Sequence, residues 1–475
     1  MVERTGRAHV RLGNSCTCAS LVFGCGPPYS PHVATLREHA VEIVRTLRQA
    51  GHEAYFVGGC VRDELRGVQP KDYDVATSAH PEEIQRLFPH TIPVGAAFGV
   101  ILVRVDDVRF EVATFRSDDS YTDGRRPDHV TFTDAEHDAR RRDFTINGLF
   151  LDPVGERVLD FVGGQADIEA RIVRTIGRPE DRFMEDKLRI LRGVRLASTL
   201  GYEIEPATFA AIRSMAAQIG QVSAERIRDE LIKMFTGPNA GRGLQLLDDS
   251  GLLHEILPEV EAMKNVAQPP QFHPEGDVFV HTKLMMDELR EPSAVLAFAC
   301  LLHDVGKPPT FRVSTERDGS ERIRFNEHDQ VGVEIADRIL RRLRFSNDER
   351  ERILACIENH MTFKDVTKMR RSTLRRLLAR STFAEELELH RIDCQSSHRD
   401  LSNHEFLKAK QAEFASVPPK PPPLITGNDL IALGLPPGPA MGTLLREIEE
   451  LQLEDRLRSR EEALAYARER IPKSA

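Results

Sequence analysis

The segment from Ala54 to Asp74 restricts the fold more than any other part of the sequence. The apolar run AYFV at 54–57 predicts a short buried strand, which ends at Gly58-Gly59 just before a helical pattern from Val61 to Leu65. Two glycines at such a turn let the backbone approach an anion closely, and helix-start amides together with Arg62 can hold a phosphate group. Although a glycine pair alone is usually a simple turn, this order predicts an α/β unit with an anion site.

Two aspartates follow shortly after this turn. Residues 72–75 (DYDV) are predicted to form a strand, on which Asp72 and Asp74 point to the same face. Adjacent carboxylates repel each other unless a divalent cation lies between them, and hard oxygen ligands suit Mg²⁺. Asp72 and Asp74 are therefore predicted catalytic metal ligands. Glu111 lies in the middle of the apolar strand pattern RFEVATF, where its charge needs a partner, and it is a candidate third carboxylate.

Strand and helix patterns alternate through the first 150 or so residues. Residues 36–50 and 81–88 are predicted to be helices, and residues 99–105 a strand that forms a hairpin with residues 109–115. From about Asp181 the strand signals fade and helical patterns dominate. The predicted fold class is therefore α+β, with a mixed sheet and helices first and all-α domains after it.

The composition sets outer limits on these domains. The chain has 475 residues, of which 40% are apolar and 29% charged, which excludes general disorder and collagen-like repetition. No apolar run reaches the roughly 18–20 residues of a membrane-spanning helix, so no membrane partner is expected. Seven scattered cysteines suggest a reducing compartment, and the net charge of −9 argues against indiscriminate nucleic-acid binding.

The two aspartates belong to a longer series of motifs that resembles a known family. VGGCVRD at 57–63 and KDYDVAT at 71–77 are similar to motifs of the class II tRNA nucleotidyltransferases and bacterial poly(A) polymerases, in the polymerase-β-like superfamily. Three further motifs follow in the family's order: RRRDFTINGL at 140–149, DFVGGQAD at 160–167 and RFMEDKLRILRGVR at 182–195. The resemblance covers roughly residues 40–250. It implies a polymerase-β-like head and nucleotidyl transfer without a nucleic-acid template.

This resemblance also implies roles for individual residues. Asp72 and Asp74 would bind Mg²⁺, and Asp186 and Arg189, three apart on a predicted helix, would together mimic a Watson–Crick partner that selects CTP or ATP. A solvated basic helix face is the alternative for that pair. The candidate nucleotide-binding residues are Gly58, Gly59, Arg62, Arg142, Asp143, Asn147, Asp186, Arg189, Arg192 and Arg195.

The polar segment 115–130 (FRSDDSYTDGRRPDHV) bears on the product. It is similar to the mobile loop of CCA-adding members, with Phe115 in place of the usual Tyr. The resemblance therefore favours addition of CCA to the 3′ end of tRNA from CTP and ATP. A poly(A) polymerase and an A-adding tRNA nucleotidyltransferase remain alternatives, since these subtypes share almost every motif.

A second constellation lies in the C-terminal half. His303-Asp304 within HDVGK resembles the HD phosphohydrolase superfamily. The resemblance implies a metal set of His281, His303, Asp304 and Asp393, with His328 and His360 available for a second metal. Imidazole and carboxylate ligands suit Mn, Ni, Co or Fe, and the implied activity is hydrolysis of a phosphate ester. The alternative of another class is an HD phosphohydrolase whose inactive head serves only to bind RNA.

Two basic stretches are candidate surfaces for RNA phosphates. They are residues 171–195 and residues 367–380, the second of which (TKMRRSTLRRLLAR) carries six basic residues and no acid. An amphipathic helix with solvated basic positions explains them equally well.

The predicted organisation has five parts. Residues 1–35 are expected to be a disordered or mis-assigned extension, 36–180 the nucleotidyltransferase head, 181–257 a helical neck, 258–415 the HD domain, and 416–475 a linker with a C-terminal helical domain. The expected location is the cytoplasm. No obligatory protein partner is evident.

Overall fold

The computed structural model describes residues 35–95, 98–118, 130–271, 273–274, 276–316, 320–414 and 421–471. The expected N-terminal extension therefore lies outside the described residues, apart from Thr35. So do residues 119–129 of the segment that favours CCA addition, and most of the proline-rich linker.

A mixed sheet of seven strands forms the first part of the chain, in the order β3-β4-β5-β2-β1-β8-β9. Strand β1 runs antiparallel to β2 and β8, while β2 runs parallel to β5. The sheet strands are β1 (Ala54–Val57), β2 (Asp74–Thr77), β3 (Thr91–Gly95), β4 (Val100–Val105), β5 (Val108–Thr114), β8 (Phe150–Asp152) and β9 (Arg157–Leu159), and β6 (Arg116–Asp118) and β7 (Val130–Phe132) form a separate hairpin. The helices of this part are α1 (Leu36–Gln49), α2 (Gly59–Leu65), α3 (Pro81–Leu87), α4 (Ala135–Arg140) and α5 (Gly164–Ala170).

Local sequence explains these elements well. Helix α1 begins at Thr35, whose hydroxyl accepts the N–H of Glu38 while the Glu38 carboxylate accepts the N–H of Thr35, a capping box. Its apolar face buries Ala40, Ile43 and Val44 against the sheet. Strand β2 has the predicted length but is shifted by two residues from the predicted 72–75, so it begins at Asp74 and leaves Asp72 before the strand, and the two aspartates do not share a strand face as predicted.

The glycine-rich motif at 160–167 has a structural role. The Asp160 carboxylate accepts backbone N–H bonds from residues 162 to 165 at 2.8–3.1 Å and so caps the start of α5. A Cβ on Gly164 would lie only 2.2 Å from the Thr145 carbonyl oxygen. This glycine lets α5 pack directly against the segment that carries Asn147.

Substitution of Gly164 by alanine is expected to lower the free energy of unfolding by about 3 kcal/mol, since backbone atoms would have to move. The matched variant Gly163→Ala places a Cβ in open space at φ +80° and should cost only about 1 kcal/mol. Urea unfolding of both variants measures the difference. Equal losses would show that the contact at Gly164 does not limit packing.

Helices dominate from α6 onward, as predicted. The neck consists of α6 (Pro179–Glu185), α7 (Leu188–Leu200), α8 (Pro206–Met215), α9 (Ala224–Phe235), α10 (Ala240–Asp249), α11 (Leu252–Ile256) and α12 (Pro258–Glu261), with β10 (Ile172–Val173) paired to β11 (Glu203–Ile204). The prediction of a single helix through Asp186 and Arg189 is wrong. Asp186 adopts φ −147°, ψ 105° and separates α6 from α7, because its carboxylate accepts the N–H of Leu188.

The region after the neck contains α13 (Val278–Asp287), α14 (Ala294–Leu302), α15 (Lys307–Thr310), α16 (His328–Arg342), α17 (Asn347–Asn359), α18 (Arg371–Leu378), α19 (Phe383–Ser396) and α20 (Ser402–Phe414). It also contains an antiparallel hairpin that the helical prediction for this region missed, β12 (Phe311–Thr315) and β13 (Glu321–Phe325). The tail consists of α21 (Gly427–Ala432), α22 (Pro439–Leu453) and α23 (Arg460–Arg470). Within the described residues, no helix has the length and apolar character needed to span a membrane.

One hydrophobic cluster runs from α1 through the sheet and the neck into α14, α16, α17 and α19. The tail has its own cluster, built around Leu430, Leu444 and Ile448. Folding of the neck and of the region after it is therefore coupled through shared packing.

The basic helix α18 is engaged within the protein. Arg371 lies 3.0 Å from Asp455 and Arg375 lies 3.2 Å from it, and Arg370 and Arg380 reach Glu450 and Glu386. These ion pairs engage four of the six basic residues of 367–380 with acids of the same chain, which favours the amphipathic-helix interpretation over a surface for RNA phosphates.

Candidate functional site

A cavity of about 520 Å³ lies between the sheet and the neck. Twelve of the predicted site residues line it, namely Gly58, Gly59, Arg62, Asp72, Asp74, Arg142, Asp143, Asn147, Asp186, Arg189, Arg192 and Arg195. They come from β2, α2, α7 and the connecting segments. The fold thus gathers residues that are up to 137 positions apart in the sequence into one site.

The glycine turn and two arginines form one end of the cavity. Gly58 has φ 77°, which favours glycine, and a Cβ there would meet Arg142 Nη1 at 3.4 Å. Arg62 donates to Asn147 Oδ1 at 2.6 Å, and Arg142 donates to Asp138 at 3.0 and 3.1 Å. Both guanidinium groups are held beside backbone that an anion can approach closely.

The carboxylates lie beside this turn. Asp72 and Asp74 line the cavity, whereas Glu111 is exposed on the neighbouring strand β5 and is absent from its lining. Burial raises the pKa of Asp74 to about 7, and the negative charges of Glu111 and Asp72 add to the effect. In the described part of the chain, the carboxylate oxygens of Asp72, Asp74 and Glu111 do not form a set of three within 4.8 Å of one another. A cation beside Asp74 would offset the cost of burying its charge and the repulsion from Glu111 and Asp72.

Ion pairs build the opposite wall. Arg192 donates to Asp143 Oδ2 at 2.8 Å, and Arg195 donates to Glu230 Oε2 at 2.5 Å. Burial raises the pKa of Asp143, but the charges of Arg192 and Arg189 outweigh it and hold that pKa at about 2. Asp143 therefore stays ionised and fixes Arg192 toward the cavity.

The two residues expected to read a base have separate partners. Asp186 binds Arg226 through both carboxylate oxygens, at 3.1 and 2.7 Å. Arg189 donates to Glu185 at 2.6 Å and to the carbonyl oxygen of Arg182 at 3.3 Å. Both line the cavity, so one carboxylate acceptor and one guanidinium donor face the same space.

Sequence reasoning missed several lining residues. Arg116, Arg141, Glu230 and Lys233 also line the cavity, and Arg226 contacts it through Asp186. Arg226, Glu230 and Lys233 follow the i, i+4, i+7 spacing of one face of α9. That polar stripe, next to the buried Ile227 and Leu231, was the available signal.

The second constellation forms two sets of three side chains that could each hold a metal ion. His281, His303 and Asp393 form one, and Asp304, His328 and His360 form the other, with the ligand atoms of each set within 4.8 Å of one another. The grouping differs from the expected one, which placed Asp304 with His281, His303 and Asp393. Asp304 lies 3.0 Å from His303 Nε2 as well as 3.7 Å from His328 Nε2, so it borders both sets.

The imidazole rings are oriented for metal binding. Nδ1 of His303, His328 and His360 donates to the carbonyl oxygens of Cys300, Phe325 and Ile357 at 2.6–2.9 Å. A carbonyl oxygen can only accept, so the neutral rings carry their proton on Nδ1 and present lone pairs at Nε2. His328 Nε2 and His360 Nε2 are 3.1 Å apart. Two facing lone pairs at this distance repel each other, and a cation coordinated by both nitrogens would relieve that repulsion.

A cavity of about 710 Å³ opens onto these ligands. Lys307 lies at its floor, where it donates to Gln268 at 2.6 Å and contacts Asp304 at 2.7 Å. Burial raises the pKa of Asp304, but its interactions with His303 and Lys307 outweigh burial and hold that pKa well below its usual range. Arg322 and Arg324 of the hairpin also line the cavity.

Comparison with known proteins agrees with both sites. Residues 54–174 match the poly A polymerase head domain, residues 201–264 the probable RNA and SrmB-binding site of polymerase A, and residues 277–394 the HD domain. The CCA-adding enzyme of Geobacillus kaustophilus is 44% identical over 234 residues, which is 48% of this chain and 58% of that protein. The CCA-adding enzyme of Bacillus subtilis is 41% identical over 234 residues, 49% of this chain and 59% of that protein.

A solved structure extends this likeness over most of the chain. The Bacillus stearothermophilus CCA-adding enzyme in complex with CTP superposes with a TM-score of 0.69 at 28% identity, covering 92% of this chain and 98% of that one. In its head, RNA-binding and HD segments the chain is thus similar to the class II tRNA nucleotidyltransferases and bacterial poly(A) polymerases. Its sequence match nevertheless spans less than two thirds of the length of the curated relatives. The matches to a poly A polymerase head domain and an HD domain imply the use of divalent metal ions.

Proposed function

We propose that this chain adds CCA to the 3′ end of tRNA from CTP and ATP. The proposal rests on one observation. A single cavity is lined by the glycine turn, by Asp72 and Asp74, and by an acceptor and a donor that do not bind each other, Asp186 and Arg189. Relatives at 41–44% identity are named CCA-adding enzymes, and the structural relative at 28% identity is described in complex with CTP. The proposed substrates are therefore CTP, ATP and the 3′ end of tRNA.

Base selection follows from the chemistry of Asp186 and Arg189. Cytosine and adenine each present an amino donor beside a ring-nitrogen acceptor on the Watson–Crick edge, and these match a carboxylate acceptor and a guanidinium donor. Uracil and guanine present a carbonyl acceptor beside an N–H donor, which reverses the pattern. Because unmatched groups at a buried site stay unpaired, this arrangement disfavours UTP and GTP.

The remaining residues position the triphosphate. Arg62 and Arg142 beside the Gly58-Gly59 turn are proposed to hold its phosphates, and Asp143 holds Arg192 toward the cavity. Asp72 and Asp74, with Glu111 as a further candidate, are proposed to hold Mg²⁺. Bound there, Mg²⁺ would neutralise triphosphate charge and lower the pKa of the attacking 3′-hydroxyl. No nucleophilic side chain is required.

The proposal includes the predicted domain division at 36–180, 181–257, 258–415 and 416–475, and a cytoplasmic location where tRNA is matured. The poly(A) polymerase and A-adding alternatives use the same cavity. They differ in the product and in the RNA that is accepted.

Three tRNA transcripts separate these possibilities: one ending at the discriminator base, one at C and one at CC. Each is incubated with purified protein, Mg²⁺, and CTP, ATP or both. Addition of two Cs and one A, followed by arrest, is the expected result. Addition of A to the CC transcript alone would indicate an A-adding enzyme, long A tails a poly(A) polymerase, and no incorporation would contradict a nucleotidyltransferase function.

We further propose that the HD domain hydrolyses a phosphate ester with a transition metal such as Mn, Ni, Co or Fe. The two sets of buried imidazole and carboxylate ligands favour this second function. Bound metal would activate water and polarise the phosphate. Lys307 orients Asp304 between the sets, and Arg322 and Arg324 supply positive charge at the mouth of the cavity.

A further inference from the structure

Asp186 and Arg189 carry opposite charges at neighbouring positions of one turn. The Arg189 backbone N–H bonds to the Asp186 carbonyl oxygen at 3.0 Å, so the two residues start close together. Their side chains nevertheless bind other partners, Arg226 and Glu185. A direct ion pair between them would satisfy both groups and leave nothing to read a base.

Arg226 contacts Asp186 with planar, two-point geometry. Its Nη1 and Nη2 reach the two carboxylate oxygens at 3.1 and 2.7 Å, which fixes the plane of the carboxylate. Asp186 Oδ1 also accepts the N–H of Leu188 at 3.1 Å. A carboxylate oxygen can accept about two hydrogen bonds, so Oδ2 has room for an amino group of a base.

Arg226 is itself held by packing. It lies in the first turn of α9, a helix anchored by the buried residues Ile227, Leu231 and Met234, and α9 packs along α7. The packing of α9 therefore fixes the position of the Asp186 carboxylate, although Arg226 and Asp186 are 40 residues apart in the sequence.

We propose that Arg226 is a positioning residue for base selection. It holds the Asp186 carboxylate away from Arg189, so that acceptor and donor remain side by side for the edge of the incoming base. This inference rests on the proposed nucleotidyl transfer and adds to it a residue that acts through Asp186 without contacting the reacting atoms.

The test measures kcat/KM for all four nucleoside triphosphates in the Arg226→Ala, Arg226→Lys and Arg213→Ala variants. Arg213 is an exposed arginine of the neck outside the cavity, and its loss should leave kcat/KM unchanged. Arg226→Ala should lower kcat/KM for CTP and ATP about 30- to 100-fold, as expected when a two-point charged contact is lost. It should also lower the preference for CTP over UTP about 10-fold. Lysine keeps the charge without the planar fork and should restore part of the loss.

The double variant Asp186→Ala/Arg226→Ala separates positioning from general stability. If Arg226 acts through Asp186, its removal should change the CTP-over-UTP preference less than about 3-fold once Asp186 is absent. Equal effects in both backgrounds, or an unchanged preference in Arg226→Ala, would overturn the inference. A wild-type protein that adds neither C nor A would overturn the proposed function as well, and this separates the two failures.

Discussion

Replacement of Asp74 by asparagine is expected to reduce CTP incorporation into tRNA by at least about 1,000-fold. Asp74 lies in the cavity beside the glycine turn, where it is a proposed Mg²⁺ ligand together with Asp72. A metal ligand contributes several kcal/mol of charge stabilisation in phosphoryl transfer, and about 4 kcal/mol corresponds to three orders of magnitude in rate. Primer extension on a tRNA transcript ending at the discriminator base measures the loss.

The same substitution should not destabilise the metal-free protein. Burial and the charges of Glu111 and Asp72 raise the pKa of Asp74 to about 7. A carboxyl whose pKa is raised on folding opposes folding at any pH above its unfolded value, so the ionised Asp74 costs stability at neutral pH without a cation. In EDTA at pH 8, the thermal midpoint of Asp74→Asn should therefore equal or exceed that of the wild type. A lower midpoint together with lost activity would indicate a structural role instead.

Glu111→Gln provides a matched comparison. Its side chain is exposed and lies outside the cavity lining, so its loss should reduce incorporation less than the loss of Asp74. A loss as large as that of Asp74→Asn would show that Glu111 is an equal metal ligand.

The part of the site between Ala54 and Leu65 could be predicted from the sequence, because its residues are close together in the chain. The strand, the glycine turn and the helix from Ala54 to Leu65 follow from local patterns, and the structure has β1 and α2 within two residues of the predicted bounds. The hairpin of β4 and β5 was likewise predicted from its apolar runs and the turn at residues 106–107. In these segments, local propensity and tertiary packing favour the same conformation.

The wrong predictions concern segments whose conformation is determined by contacts between residues distant in the sequence. An i, i+3 spacing is compatible with one helix or with two helices joined at a capping aspartate, so the break at Asp186 could not be read from periodicity. Its partner Arg226 is 40 residues away. The hairpin β12–β13 was missed because its strands are short and partly charged, with exposed positions on both faces. The sequence predicts all six candidate metal residues of the HD domain, but the packing of their helices determines which three converge.

Replacement of Asp304 by asparagine should abolish phosphate-ester hydrolysis by the HD domain while nucleotide addition continues. Asp304 contacts Lys307 at 2.7 Å and His303 Nε2 at 3.0 Å, and it belongs to the ligand set with His328 and His360. Loss of a charged ligand at a buried site should reduce hydrolysis at least about 1,000-fold. The assay follows release of phosphate from a nucleoside phosphate with protein loaded with Mn²⁺, Ni²⁺ or Co²⁺.

Nucleotide addition by the same preparation is the control for folding. One hydrophobic cluster connects the sheet and the neck with the helices that carry the HD ligands, so a collapsed HD domain would disturb the neck. Bound metal, measured by mass spectrometry after dialysis, should fall in Asp304→Asn and stay unchanged in Asp74→Asn. Among the described residues, none lines both cavities. Loss of both activities in a variant that keeps its thermal midpoint would therefore show that the two sites do not work independently.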